Sequence, residues 1–204
     1  MTHVSLRDPS TTLGAKVIGD GRLSVSSRTS TAGQIETFKG HGFNINPGDI
    51  NLTSDSESGL LYILNTGANP LVIDLFVFIL GTSTGGTGTA LLQIYRNPTA
   101  GTLISGATPA NTAAANRDFS SGRLFSSIAT AYVGVEGSTI TASDGETVQS
   151  RASCPNRVPL EVGSVVLKTN NSIAMSITPP PSNTGLLVQV AMQVLEETEG
   201  LIDT

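Results

Sequence analysis

Tryptophan is absent from the 204 residues, cysteine occurs once, histidine twice, and 13% of the chain is charged. Each shortage removes a class of reading. A lone Cys154 excludes an intrachain disulfide, and with no basic neighbour in view to activate a thiolate it reads as a small buried filler. Two histidines and one cysteine cannot furnish the three or four nitrogen and sulfur ligands of a zinc site. His41, between Gly40 and Gly42, reads as a turn or exposed strand position. With no tryptophan and three tyrosines, there is little material for aromatic platforms that stack on sugars or single-stranded nucleic acid. Lysine is confined to Lys16, Lys39 and Lys168, and the net charge is −5. The basic surface that a nucleic-acid backbone requires is therefore missing. No apolar run reaches the roughly 20 residues of a membrane helix. Neither nucleic acid nor membrane is expected as a partner, and no cofactor is expected. The opening MTHVSLRDPSTTLG lacks a charged stretch followed by an apolar one, so no secretory signal is expected and synthesis in a cytosol is.

What is abundant points to strands and turns. Gly accounts for 22 residues, and Ser and Thr together for roughly a quarter of the chain, a composition that disfavours helices. The central stretch is residues 60–80, LLYILNTGANPLVIDLFVFIL. Its two apolar runs flank Asn65-Thr-Gly-Ala-Asn-Pro70, a cluster of turn formers. The reading is a long hairpin. Within residues 71–80, strict alternation places Leu71, Ile73, Leu75, Val77 and Ile79 on one face. Val72, Asp74, Phe76, Phe78 and Leu80 fall on the other, where Asp74 is the lone polar member. A strand apolar on both faces needs cover on both. The small-residue segments elsewhere look poor for that purpose, so Phe76 and Phe78 are expected at a contact with a neighbouring protomer, with Asp74 near its rim.

Further strands are expected at residues 22–28, 90–96, 128–135, 139–142, 147–152, 159–167, 172–178 and 186–195, with apolar clusters in 34–46. Residues 1–20 read as an extended arm whose scattered apolar side chains, Val4, Leu6, Leu13, Val17 and Ile18, would dock on a partner. Residues 97–127 form a long irregular excursion, with a short helix expected around 111–117. Residues 196–204 read as a mobile acidic tail. Fold class follows: all-β, a two-sheet antiparallel β-sandwich or barrel over residues 21–195, with an extended N-terminal arm.

The motifs for chemistry are thin. Gly81-Thr-Ser-Thr-Gly85 matches the nucleophile elbow G-x-S-x-G, yet that elbow must open a helix and be followed by an acid and then a histidine. Both His3 and His41 precede it, so Ser83 reads as a loop residue. The same glycines lack the lysine of a phosphate loop. The acidic loop Ser54-Asp-Ser-Glu-Ser58 lacks the spaced ligands of a calcium loop and reads as a solvated turn. Paired carboxylates for glycoside chemistry meet in space, not in sequence, and stay open here. No catalytic, metal-binding or cofactor-binding residue is assigned.

The segment Gly19-Asp-Gly-Arg-Leu-Ser-Val-Ser-Ser-Arg28 resembles the opening of a group of tailed-bacteriophage virion proteins. The elements LYILNT (61–66), PLVI (70–73) and SIAMS (172–176) stand in corresponding order. The resemblance implies a jelly-roll structural protein: a head decoration (cement) protein that clamps the major capsid protein as a homotrimer, or a tail component. It carries no catalytic residues. The rivals are a receptor- or carbohydrate-binding module of a tail and an enzyme with a spatially assembled acid pair.

Overall fold

The longest strands of the chain lie side by side, and the rest of the fold is arranged around them. A computed structural model describes residues 14–17, 23–26, 32–81, 83–105, 108–109, 114–141, 147–150, 160–162 and 165–198. Two compact units result, divided between Ile35 and Glu36. In the first, β1 (Gly14–Val17) and β2 (Leu23–Ser26) form an antiparallel pair, Val17 opposite Leu23. The strand expected at 22–28 therefore exists but pairs with part of the expected arm. The unit that carries the sandwich starts at Glu36.

The division falls within α1 (Ala32–Phe38), and the second unit continues with β3 (Gly42–Ile45), β4 (Asp49–Leu52), β5 (Ser58–Asn65), β6 (Leu71–Leu80) and β7 (Leu91–Arg96). An excursion follows with α2 (Thr102–Ser105), β8 (Thr108–Pro109), β9 (Ala114–Asn116), a 3-10 turn at Phe125–Ser127 and β10 (Ala129–Val133). The chain closes with β11 (Thr147–Ser150), β12 (Leu160–Val162), β13 (Val165–Leu167), β14 (Ser172–Thr178) and β15 (Leu186–Glu196). The helix expected around 111–117 is replaced by β9, which pairs with β3.

Pairing is nested. β4 pairs β15, β5 pairs β14, β6 pairs β12 and β13, and β7 pairs β11, all antiparallel. First joins last, second joins last but one, and so inward, as when one long hairpin is rolled up. One sheet then runs β4-β15-β6-β13 and the other β5-β14-β7-β11. That order is a jelly roll. The excursion adds to both sheets: β10 and β8 extend the β5 edge, and β9 extends the β3 edge.

The inward faces make the main core: Leu61 and Ile63 of β5, Ile173, Met175 and Ile177 of β14, and Val188, Val190, Met192 and Val194 of β15. On β6 the buried residues are Leu71 and Ile73, then Phe78 and Leu80. The inward parity changes along the strand. Register gives the reason: Val194 lies opposite Ile73 but Gln193 lies opposite Leu75, leaving Asp74 as the extra residue of a β-bulge. A single extra residue transfers the following side chains to the other face. Val72, Val77 and Ile79 accordingly share the half-exposed face.

Burial on both faces does occur, but on β5 and β14, whose residues are almost all buried. Their second face carries Tyr62 and Ala174, and a small core of these with Tyr95 and Leu103 is packed by Ile104, Tyr132 and Ile140. The pairs Tyr132–Tyr62, Tyr62–Ala174 and Ala174–Tyr95 form one row across four strands. All three tyrosines of the chain stand in that row. The excursion supplies their cover. Gly134 permits the close passage, for a Cβ there would sit 1.9 Å from the Gly59 carbonyl oxygen.

Candidate interaction surface

The nested pairing sends the loops to two opposite ends of the sandwich. β15, with 11 residues, puts those ends roughly 35 Å apart at the usual rise per residue.

One end gathers the loops 53–57, 83–90, 134–138 and 179–185. Asn183, buried, ties three of them: its Nδ2 donates to the Leu52 carbonyl at 2.8 Å and the Ser54 carbonyl at 3.0 Å, and its Oδ1 accepts from Ser83 Oγ at 2.6 Å. Ser83 is thus spent on holding a loop. Glu136 accepts from the backbone N–H groups of Thr53 and Ser54, each at 2.6 Å, and from the Thr53 hydroxyl. Those bonds, the Ser54 N–H foremost, hold its carboxyl below the usual range. Glu57 accepts from the Tyr95 hydroxyl at 2.7 Å and from Ser176. Burial, then this bond, pushes the Tyr95 phenol up to about 12. The acidic loop is an exposed turn, as expected, and its hydrogen bonds also make it an end cap. Asp55, Glu57 and Glu136 are exposed there, beside Val135 at 63% exposure.

The other end gathers the loops 66–70, 117–124 and 168–171 with the turn from α1 into β3. Here Asn65, fully buried, donates from Nδ2 to the Leu167 and Asn69 carbonyls at 2.8 and 2.9 Å. α1 ends in a Schellman turn: Gly40 N–H donates to the Thr37 carbonyl and His41 N–H to the Glu36 carbonyl, with Gly40 at φ +76°. Gly40 is also pressed against the loop 117–124, where an added Cβ would lie 2.4 Å from Ser121 Oγ. Asn116 joins the two pieces by donating to the carbonyls of Gly40 at 2.8 Å and Arg123 at 3.2 Å. Asp118 caps the turn through Ser120, whose hydroxyl and then N–H hold its carboxyl low.

Three buried carboxylates fasten the end of β15 at this place. Glu196 pairs with Arg123 and accepts from Asn69 Nδ2 at 3.0 Å. Glu36 lies 3.0 Å from His41 Nδ1 and 3.4 Å from Lys39 Nζ, and accepts from Thr198 Oγ1 at 3.3 Å. Glu197 is also buried, its N–H on the Pro70 carbonyl at 2.9 Å. Glu196 and Glu197 are thus structural, which corrects the expected mobile tail from residue 196. A carboxylate leaves water only when partners replace it, and sequence alone did not place Arg123 and Asn69 nearby.

On this fixed loop stand the largest exposed apolar side chains: Phe119 at 98% and Leu124 at 68%, with Phe38 of α1 at 81% across the Gly40–Ser121 contact. A shallow concavity of about 270 Å³ lies between Asn116, Asp118, Phe119, Arg123 and Leu124. Both signs of charge meet here, with Glu36, Asp118, Glu196 and Glu197 beside the bases. Among the described residues from Glu36 onward, all five basic side chains (Lys39, Arg96, Arg117, Arg123 and Lys168) lie at this end. None of them is at the end bearing Asp55, Glu57 and Glu136.

Phe78 is 1% exposed within the single chain, so its expected place at a protomer contact is corrected. The bulge at Asp74 turns Phe78 into the core. The side chains of Asp74 and Phe76 lie outside the described residues, as do Val4, Leu6, Leu13 and Ile18. Val17 is the last residue of β1. Among the described residues no group of three or more His, Cys, Asp or Glu could hold a metal, and no helix is long and apolar enough to cross a membrane.

No protein-family model matches the chain, and no curated protein does. One solved structure in the comparison is a mutant VP2 protein of infectious bursal disease virus in derived T=1 particles. It is 9% identical over 97% of this chain and 50% of that chain, with a TM-score of 0.20. The chain spans half the length of that protein, and a likeness at that score carries no argument.

Proposed function

We propose that this chain is a non-enzymatic structural protein of a tailed-phage virion, a decoration (cement) protein that binds the head shell as a homo-oligomer, a trimer. The observation that carries the reading is what the two loop ends do. In a jelly roll the end loops are the natural place for a ligand, and here Asn183 and Asn65 spend their polar groups on the chain's own backbone. What is left facing outward is a fixed set of apolar and charged side chains, material for broad contact with protein. The tyrosine row, the best stacking surface the chain owns, lies under Leu103 and Ile140, which disfavours the carbohydrate-binding alternative. The sequence resemblance to virion proteins of jelly-roll type points the same way.

In this reading residues 1–20 contact the major capsid protein, and many modest contacts repeated by symmetry supply the affinity. The test is co-sedimentation of purified protein with shells that lack it. Saturable binding in the full chain is expected, reduced about tenfold or more when residues 1–13 are removed. Undiminished binding of the truncated chain would contradict the role of the arm, and no binding of either would contradict the shell reading.

A further inference from the structure

We infer that the strand pair β1–β2 and the end surface of Phe38, Phe119 and Leu124 bind one partner, the shell protein, as two halves of a single contact. The inference rests on the shell reading and names the surfaces within it. Register defines the first half. Ala15 lies opposite Val25 and Val17 opposite Leu23, while Gly14 lies opposite Ser26 and Lys16 opposite Ser24. Opposed residues share a face of a strand pair. One face therefore carries four apolar residues, and the other carries glycine, lysine and two serines. A two-stranded pair is marginal in water on its own, so such a face calls for a covering surface.

Size shows that this face does not act alone. Four residues in each of two strands present roughly 14 Å by 10 Å, about 140 Å². A stable interface buries about 500 Å² or more on each side, so a pair of such faces would not hold two copies together, and a further surface must join in. Chain connection says which one. Residues 27–31 join β2 to α1, a span of at most about 20 Å, whereas the two loop ends of the sandwich are roughly 35 Å apart. A partner that takes β1–β2 is therefore brought to the end where α1 turns into β3, not to the end bearing Val135. There Phe38, Phe119 and Leu124 are exposed, and Asn116 and Asp118 hold the loop 117–124 in place. Phe119 thus meets a partner without a large ordering penalty. Two weak halves on one tether gain most from a surface repeated by symmetry, which a shell supplies.

The test is co-sedimentation of the full chain and its variants with shells that lack the protein, beside sedimentation velocity of each variant alone. Val17→Asp, Phe38→Ser and Phe119→Ser are each expected to raise the half-saturation concentration about tenfold or more. Val17→Asp combined with Phe119→Ser is expected to raise it about a hundredfold or more, and Val135→Ser at the opposite end less than about twofold. Phe38 and Phe119 are exposed, so both serine variants are expected to melt like the wild type. Without shells, every variant is expected to sediment as the wild type does. Loss of self-association in Phe119→Ser would give the end surface to a second copy and overturn the inference. Any of the three single variants that binds shells like the wild type would overturn it too, and would leave the shell reading standing. A wild type that does not bind shells would overturn the inference and the shell reading together.

Discussion

Asn183 and Asn65 show how single residues fix this fold. Each is a buried amide that satisfies two backbone carbonyls, at least one of them more than 100 residues away in sequence. Replacing Asn183 by Ala strands the Leu52 and Ser54 carbonyls and leaves the Ser83 hydroxyl without this acceptor. The expected loss is about 2–3 kcal/mol, a fall in melting temperature of about 5–10 °C by calorimetry. Ser83→Ala removes one bond and is expected to cost about 1 kcal/mol or less. Tyr95 makes a prediction of opposite kind. Its phenol pKa is raised from 10.0 to about 12 by burial and by Glu57, so folding favours the protonated hydroxyl. The stability it contributes is complete below pH 10 and is lost as pH climbs toward about 12. Denaturant unfolding across that window should show a steeper decline in the wild type than in Tyr95→Phe; parallel declines would contradict the assignment. Neither asparagine was legible beforehand, since an asparagine in a turn and one that bridges two turns look alike in sequence.

At the scale of elements, strand identity was far more legible than strand environment. β5, β6, β7, β10, β14 and β15 fall where alternation and β-branched residues place them, because packing on a pleated surface leaves that imprint. The environment of β6 was misread because alternation was carried through Asp74 without a break. A bulge leaves no unambiguous mark in sequence. It reveals itself in the register against β15. Deleting Asp74 removes the parity change and drives either Leu71 and Ile73 or Phe78 and Leu80 out of the core. Losing two such side chains costs about 5 kcal/mol or more, a large part of a domain's stability. The expected outcome is failure to yield soluble folded protein, whereas deletion of Gly88, in open space on a loop, should leave a folded chain. Recovery of a normally melting Asp74 deletion would contradict the bulge. The excursion was anticipated as irregular, and its role as cover for the outer face of β5 and β14 depends on long-range contacts of Leu103 and Ile140 that no local pattern signals.

For the whole molecule, a two-sheet β-sandwich was readable from composition and strand spacing, and its jelly-roll form was implied by the resemblance to virion proteins. The arrangement of charge was not. A net charge of −5 does not reveal that the described bases of the sandwich unit gather at one end together with the carboxylates Glu36, Asp118, Glu196 and Glu197. Only the nested pairing reveals that distribution, by assigning each loop to an end. The most direct measurement is a symmetric reconstruction of phage heads incubated with the purified chain. The account predicts added density on the outer shell at symmetry-related positions, in groups of three copies of the sandwich. Bare shells, with the protein found on tails or free in solution, would contradict it.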